Sequence, residues 1–292
     1  MQFPVVCLGE RKSGKGNRVI FFWDELEMLA PEKTSRVGVL ALQGAFYEHL
    51  KLLQDAWKAE SSLLGKNWDF IEVRTAQELE QCDALIIPGG ESTTMSLVAE
   101  RSGILEPLRS FVKVHRNPVW GTCAGMILLA EQANRTKKGG QELIGGLDVR
   151  INRNHFGRQR ESFETNLQLP FISNPDNKFH TIFIRAPIVE SVLPPVIMDD
   201  ESAFAPSKAP KGSVEAAFMS DEVQILAEIP QDVADSVGDA GGVSTNIVAV
   251  RQGNVVGISF HPELTTDTRL HQWWLRECVH PALERKRLLM KE

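Results

Sequence analysis

The chain has 292 residues, 42% of them hydrophobic, enough for one large domain or two small ones around a buried core. Its 38 acidic side chains outnumber 32 basic ones, giving a net charge of −6 with no cation excess to meet a phosphate backbone; nucleic acid is excluded as the expected partner. No apolar run approaches the roughly 18 residues that cross a bilayer, and the first basic cluster follows a short apolar stretch instead of preceding it, the reverse of a secretory signal; no membrane association and a cytoplasmic location are expected.

Residues 1–34 precede the first convincing strand and read as an extension outside the core fold. Within them "GERKSGKG", Gly9 to Gly16, nearly matches a phosphate-cradling loop, but Gly16 lacks the hydroxyl that would hold magnesium and "NRVIFFW" follows as a strand instead of a helix. A basic loop is the expectation there. From "RVGVLAL" onward, short Val/Ile/Leu-rich runs alternate with amphipathic segments, which predicts an α/β sheet covered by helices. Buried strands are expected at Val37–Leu42, Phe70–Arg74, Ala84–Ile87, Val119–Trp120, Thr181–Ile184, Ile247–Arg251 and Val255–Phe260. Helices are expected at Ala45–Trp57, with Phe46, Leu50, Leu53 and Trp57 in one stripe, and at Thr94–Glu100, Glu106–His115, Ala124–Gln132 and Asp267–Arg287, the last with a break at Pro281. The Pro-, Gly-, Ser- and acid-rich stretch about 195–244 reads as an inserted loop region inside a domain covering 35–292.

Three strand ends carry chemistry. In "LIIPGGESTTM", Pro88, Gly89 and Gly90 make a turn whose unhindered amides can approach a substrate, and Glu91 and Ser92 can bind an ammonium group; the same residues also fit a plain strand-to-helix turn capped by Ser92 or Thr93. In "GTCAG", Gly121 and Gly125 flank Cys123 where strand pattern gives way to helix pattern, the arrangement of a nucleophile elbow with Cys in place of Ser. A helix starting at Ala124 points its free N–H groups at the sulfur, favouring thiolate and able to stabilise an oxyanion. Cys7, Cys82, Cys123 and Cys278 are widely spaced without metal-type pairing, so reduced thiols and no metal are expected. The third end is "SFHPE": Pro262 keeps His261 extended, so that His261 and Glu263 can project to one side as a base and its orienting carboxylate. Ligands of open α/β sheets gather at such carboxyl ends. Arg158 and Arg185 could each grip a carboxylate through a planar fork, although either alone also reads as a surface arginine.

In chain order, "GVLALQGAFYEH", "PGGESTTM", "GTCAG", "RNHFGRQRESFE", "FIRAP" and "SFHPELT" resemble the class I (triad) glutamine amidotransferases, and among them the glutaminase subunits of pyridoxal 5′-phosphate synthase. The elbow and "HPE" belong to the wider superfamily, whereas "GGESTTM" with "FGRQ" is specific to the vitamin B6 branch. The resemblance covers most of residues 36–275. It implies a doubly wound flavodoxin-like mixed sheet, the class I glutamine amidotransferase fold, with no cofactor. The implied activity is hydrolysis of L-glutamine to glutamate and ammonia by Cys123, His261 and Glu263. It further implies a glutamine site of Gly90, Glu91, Ser92, Arg158, Ile184 and Arg185, and an oxyanion hole at Gly90 and Ala124. Gln43 and Gly44 would be arranged by docking of a (β/α)8-barrel synthase subunit, for which the helix Ala45–Trp57 offers a face although its apolar stripe reads first as core. Two other functions stay open at this point: an amidotransferase subunit feeding another acceptor, such as that of histidine synthesis, and a non-catalytic binding module. The extension 1–34 and the insert have no counterpart in the short bacterial pattern.

Overall fold

A computed structural model describes residues 34–65, 67–134, 141–153, 162–194, 222–237 and 245–289. Cys7, the Gly9–Gly16 loop and Arg158 lie outside the described residues, as do 195–221 and 238–244 of the expected insert. All described elements belong to the unit Ser35–Glu292.

The first strand, β1 (Ser35–Leu40), puts Val37 and Val39 into one apolar cluster and Leu40 into another. A strand whose alternate side chains are both buried needs cover on both faces, and the continuous apolar run "VGVL" is the sequence form of that demand. β3 (Ala84–Ile87) repeats it, with Ala84 and Ile86 on one side and Leu85 and Ile87 on the other. Around these two strands stand β2 (Trp68–Val73) beyond β1, and β4 (Val119–Thr122) beyond β3. β12 (Val255–Ile258) extends the sheet in parallel past β4, and β11 (Ile247–Gln252) and β10 (Gln224–Glu228) close it antiparallel. The spatial order is β10-β11-β12-β4-β3-β1-β2, so the sheet is mixed and its parallel part runs 2-1-3-4-12. That is the flavodoxin-like winding, whose switch point between β1 and β3 opens a crevice at the carboxyl ends of the strands.

Helix α1 (Phe46–Leu64) covers one face, burying Leu50 and Leu53 in the same cluster as Trp120 and Trp274, so its stripe is core. α2 (Ala76–Glu80) begins with a capping box between Thr75 and Glu78. On the other face lie α3 (Ser92–Arg101), α4 (Leu105–Arg109) continued by a wide π turn (Ser110–Val114), and α5 (Ala124–Leu129). The expected helix Ala124–Gln132 stops early: Ala130 turns extended, and β5 (Ala130–Ala133) pairs in parallel with β6 (Leu147–Asn152). Helix-favouring Ala, Glu and Gln yield there to a partner strand that satisfies their backbone groups. β9 (Ile188–Val192) completes that three-stranded sheet, while β7 (Ser162–Leu167) and β8 (Phe179–Ile184) form a separate hairpin-like pair. Inside the expected loop region, Gln224–Glu228 is the edge strand just named and α6 spans Gln231–Val237. Near the C-terminus α7 (Arg269–Trp274), a π turn (Leu275–Val279) and α8 (His280–Leu289) run on without a break at Pro281. The wide turn immediately before the proline has already left the α-helical bonding register, so its missing N–H interrupts no regular ladder.

Candidate active site

β4 and β12 are parallel neighbours, with Thr122 opposite Ile258, so the residues that leave their carboxyl ends emerge side by side. Cys123 is the first residue past β4 and His261 comes three past β12. The Cys123 backbone adopts φ 48 and ψ −102, a left-handed conformation rare for a residue with a side chain and of the kind stored at active sites. What holds it there is its surroundings. The Cys123 N–H donates to the Ile258 carbonyl at 2.7 Å, and the flanking glycines permit contacts no other residue could make. A Cβ on Gly121 would lie 2.4 Å from the Gly125 carbonyl carbon, and one on Gly125 would lie 2.0 Å from the Ile87 carbonyl oxygen. The double glycine of the motif is therefore a packing requirement of the elbow.

The Cys123 sulfur lies 3.8 Å from the Ile184 carbonyl oxygen and is within hydrogen-bonding reach of His261. On its other side the His261 ring meets Glu263, Nδ1 to Oε1 at 2.7 Å, with Glu263 3% exposed. The structure thus brings Cys123, His261 and Glu263 together. Burial alone would depress the His261 pKa, but its hydrogen bonds to Cys123 and Glu263, reinforced by their charges, raise it to about 10. Burial works against the Glu263 carboxylate as well, yet the histidines beside it hold its pKa below the usual value. Cys82 and Cys278, also free, are different: burial pushes both thiols up to about 12, so neither is a nucleophile at neutral pH.

The "PGGES" turn approaches from β3. A Cβ on Gly89 would stand 2.4 Å from His261 Cε1 and 3.5 Å from Cys123 Cβ, so the bare α-carbon makes room for the imidazole. Gly44, at φ 85, lies against the Gly89 carbonyl, and Gln43 Oε1 accepts the Glu91 N–H at 3.1 Å, so the segment after β1 is tied to the turn after β3. Gly90 has φ 155 and its α-carbon faces Met95 and the Gln43 amide. The cap of α3 is Glu91, not Ser92 or Thr93: its carboxylate accepts from the Thr93 and Thr94 N–H groups at 3.1 and 2.7 Å. Burial opposes the Glu91 charge, but those bonds prevail and hold its pKa below normal. Ser92 is buried and donates to Gln141 Oε1 at 3.0 Å.

Ile184 ends β8 with its carbonyl beside the sulfur, and Arg185 follows it. The Ile184 side chain is 40% exposed, and Arg185 has φ 44, a second left-handed non-glycine residue at this rim. Ala124 opens α5 directly after the sulfur. Two parts of the neighbourhood were passed over by the sequence reading. Arg153, 8% exposed, reaches Gln141 and lies 3.4 Å from Ser92 Oγ, its signal lost in the polar run "RINRNHFGRQR". Behind Glu263 stand His49 and His271, both fully buried, with His49 Nδ1 3.0 Å from His271 Nε2. A histidine inside the apolar stripe of a helix, as in "FYEHLKLL", was the available sign.

The model of the SNO glutamine amidotransferase family matches residues 39–205 and 211–280. The chain is similar to "Probable pyridoxal 5'-phosphate synthase subunit PDX2" of Arabidopsis thaliana, at 42% identity over 82% of this chain and 84% of the relative. It is likewise similar to the pyridoxal 5′-phosphate synthase subunit PdxT of Herpetosiphon aurantiacus, at 38% identity over 82% of this chain and 98% of that one. Among solved structures, one described as a glutamine amidotransferase aligns with a TM-score of 0.55 and 36% identity, covering 82% of this chain and 96% of that chain.

Proposed function

The chain belongs to the SNO glutamine amidotransferase family, and from that premise we propose that it is the glutaminase of a pyridoxal 5′-phosphate synthase, hydrolysing L-glutamine and passing the ammonia to a synthase subunit. The observation that carries the reading is the meeting of Cys123, His261 and Glu263 at one rim of the sheet, with His261 Nδ1 to Glu263 Oε1 at 2.7 Å.

In this reading Cys123 attacks the side-chain amide carbon of glutamine as a thiolate, and His261 is its protonated partner. The tetrahedral oxyanion is met by backbone N–H groups of Gly90 and Ala124. His261 then gives its proton to the departing nitrogen, ammonia leaves, and a γ-glutamyl thioester remains on Cys123. Next His261 removes a proton from water, the water oxygen adds to the thioester carbonyl, and glutamate departs as the sulfur regains its negative charge. Throughout, Glu263 accepts from the His261 Nδ1–H and fixes which nitrogen faces the reaction.

Glutamine carries an α-carboxylate and an α-ammonium group at the end of an apolar stem. Arg158 and Arg185 serve the first, Glu91 and Ser92 the second, and Ile184 covers the stem. Ammonia freed into neutral water is mostly protonated and no longer nucleophilic, so direct transfer to a docked (β/α)8-barrel synthase is the physical reason for a partner. Gln43 and Gly44, linked to the "PGGES" turn, are the segment through which docking would arrange the oxyanion hole. No helix among the described residues is long and apolar enough to cross a membrane, and we place the reaction in the cytoplasm with no role for nucleic acid. Ammonia release from glutamine, measured for the pure protein with and without the synthase subunit, tests the reading. Release that increases with the partner and vanishes in Cys123→Ala is expected; unchanged release in that variant would overturn it.

A further inference from the structure

Glu263 has two carboxylate oxygens, and the triad uses one. Oε1 accepts from His261, whereas Oε2 is buried without an aligned hydrogen-bond donor among the described residues. A buried carboxylate oxygen left without a donor is costly, so what lies nearest to it matters. His49 Nε2 stands 3.4 Å from it, with both side chains fully buried. The same nitrogen is 3.3 Å from Thr122 Oγ1, on the strand that delivers Cys123. The other nitrogen of the ring, Nδ1, faces His271 Nε2 at 3.0 Å.

The arrangement selects one set of tautomers. Between His49 Nδ1 and His271 Nε2 only one proton can sit. If His49 held it, the His49 Nε2 lone pair would face the Glu263 carboxylate, and His271 Nδ1–H would be a buried donor with no acceptor, since that atom has no hydrogen-bond partner. If His271 holds it, His49 Nε2 carries its hydrogen, aligned on Thr122 Oγ1 with Glu263 Oε2 beside it at 3.4 Å, and His271 Nδ1 becomes a bare lone pair among the rings of Trp120 and its neighbours, the cheaper of two unmet groups. The second set puts a donor, not a lone pair, beside the Glu263 carboxylate.

We propose that His271 and His49 form a neutral two-imidazole relay behind the triad, His271 Nε2–H donating to His49 Nδ1 and His49 Nε2–H shared between Thr122 Oγ1 and Glu263 Oε2, with His49 acting as a positioning residue for the glutaminase reaction. Charged and titratable groups around His49 are Glu263 and His261 from the turn after β12, His271 from α7 and Glu48 on its own helix. Burial outweighs the two carboxylates, so His49 stays uncharged at neutral pH, and burial does the same to His271 more strongly. The relay therefore acts as a dipole: it supports the Glu263 charge, which supports the His261 imidazolium, which supports the Cys123 thiolate.

The inference rests on the glutaminase reading only for its kinetic consequence, so its test uses the thiol directly. Alkylation of Cys123 by iodoacetamide is followed by mass spectrometry of its peptide at pH 7 and at pH 10, in the wild type, His49→Leu, His49→Gln and His271→Phe. Loss of the donor in His49→Leu slows alkylation at pH 7 by about tenfold, while at pH 10, where His261 itself is losing its proton and the imidazolium no longer drives the difference, the rates converge. A merely structural defect would move both rates together. His49→Gln, whose amide N–H can reach the same oxygen, restores most of the pH 7 rate. Glutamine hydrolysis at pH 7 falls in kcat with little change in KM. Should His49→Leu fail to fold, His271→Phe carries the test, because the freed Nδ1 can then take the ring proton away from Glu263, and its pH 7 to pH 10 ratio falls as well. An unchanged ratio in the variants that fold overturns the relay. A lowered ratio in a protein that releases no ammonia from glutamine would keep the relay and defeat the glutaminase reading.

Discussion

Gly89→Ala is the most incisive small change available at this site. The added methyl would lie 2.4 Å from His261 Cε1 and 3.0 Å from Nδ1, and real contacts of a β-carbon essentially never fall below 3.0 Å. Relieving the first contact to an ordinary separation of about 3.4 Å requires the imidazole to retreat by ~1 Å. It cannot do so freely, because Nδ1 is held to the buried Glu263 at 2.7 Å, and a retreat of that size lengthens this bond or pulls the ring from Cys123. A misplacement of ~1 Å at a reacting group costs about 100-fold in rate, or ~2.7 kcal/mol of transition-state stabilisation. Overpacking of this kind lowers stability by about 1–3 kcal/mol, a few degrees to about 10 °C in melting temperature for a domain of this size. The expected result is therefore a folded protein, by circular dichroism and melting, whose kcat/KM for glutamine in the presence of the synthase subunit is reduced about 100-fold at a temperature well below the transition. An activity within threefold of wild type, with an unchanged melting temperature, would refute the claim that this packing of Gly89 against His261 is the reacting geometry.

Three further outcomes follow from the same structure. Gly125→Ala would force a methyl to within 2.0 Å of the Ile87 carbonyl oxygen, backbone against backbone, and should yield protein that is insoluble or melts far below wild type in an expression and melting screen. Because His49 and His271 have pKa values depressed from 6.5, the unfolded chain binds protons there that the native state does not; stability present above about pH 6.5 is lost as pH falls, by up to about 1.4 kcal/mol per pH unit for each, and urea titrations between pH 7 and pH 5 should be flatter in His271→Phe. His261 works in the opposite direction: its raised pKa gives stability fully present below about pH 6.5 and lost as pH rises through about 10, so Cys123→Ala, which removes one of its two hydrogen-bonded partners, should flatten the alkaline fall in melting temperature.

How much of this was legible in the sequence depends on range. The runs "VGVL" and "ALII" announced strands buried on both sides, and "GTCAG" and "SFHPE" announced their chemistry, because elbow glycines and a His kept out of helical geometry by Pro262 are local demands of the backbone, although the tripeptide is not extended throughout: Pro262–Leu264 forms a 3-10 turn. What local pattern could not carry was pairing. "AEQA" at 130–133 has the composition of a helix and becomes a strand only because β6 lies beside it. Gln224–Glu228 is an edge strand inside a stretch that composition marks as loop, and it exists through β11. The "GGES" turn was read for what its residues could bind, whereas the position of Gly89 against the imidazole, and the use of Glu91 as a helix cap, depend on a neighbour more than 170 residues away and on the helix that follows. His49 and His271 lie 222 residues apart, and the histidine in the stripe of "FYEHLKLL" acquires its meaning only where the two helices meet behind Glu263.

The central claim is that Cys123 is the atom-bearing nucleophile toward the side-chain carbonyl of glutamine. It is tested most directly with a glutamine analogue whose amide nitrogen is replaced by a diazomethyl group, followed by peptide mass spectrometry. The account predicts a single covalent adduct, on Cys123, whose formation is slowed by L-glutamine and absent in Cys123→Ala. An adduct on Cys82 or Cys278, or steady ammonia release from glutamine by protein that the analogue leaves unlabelled, would contradict it.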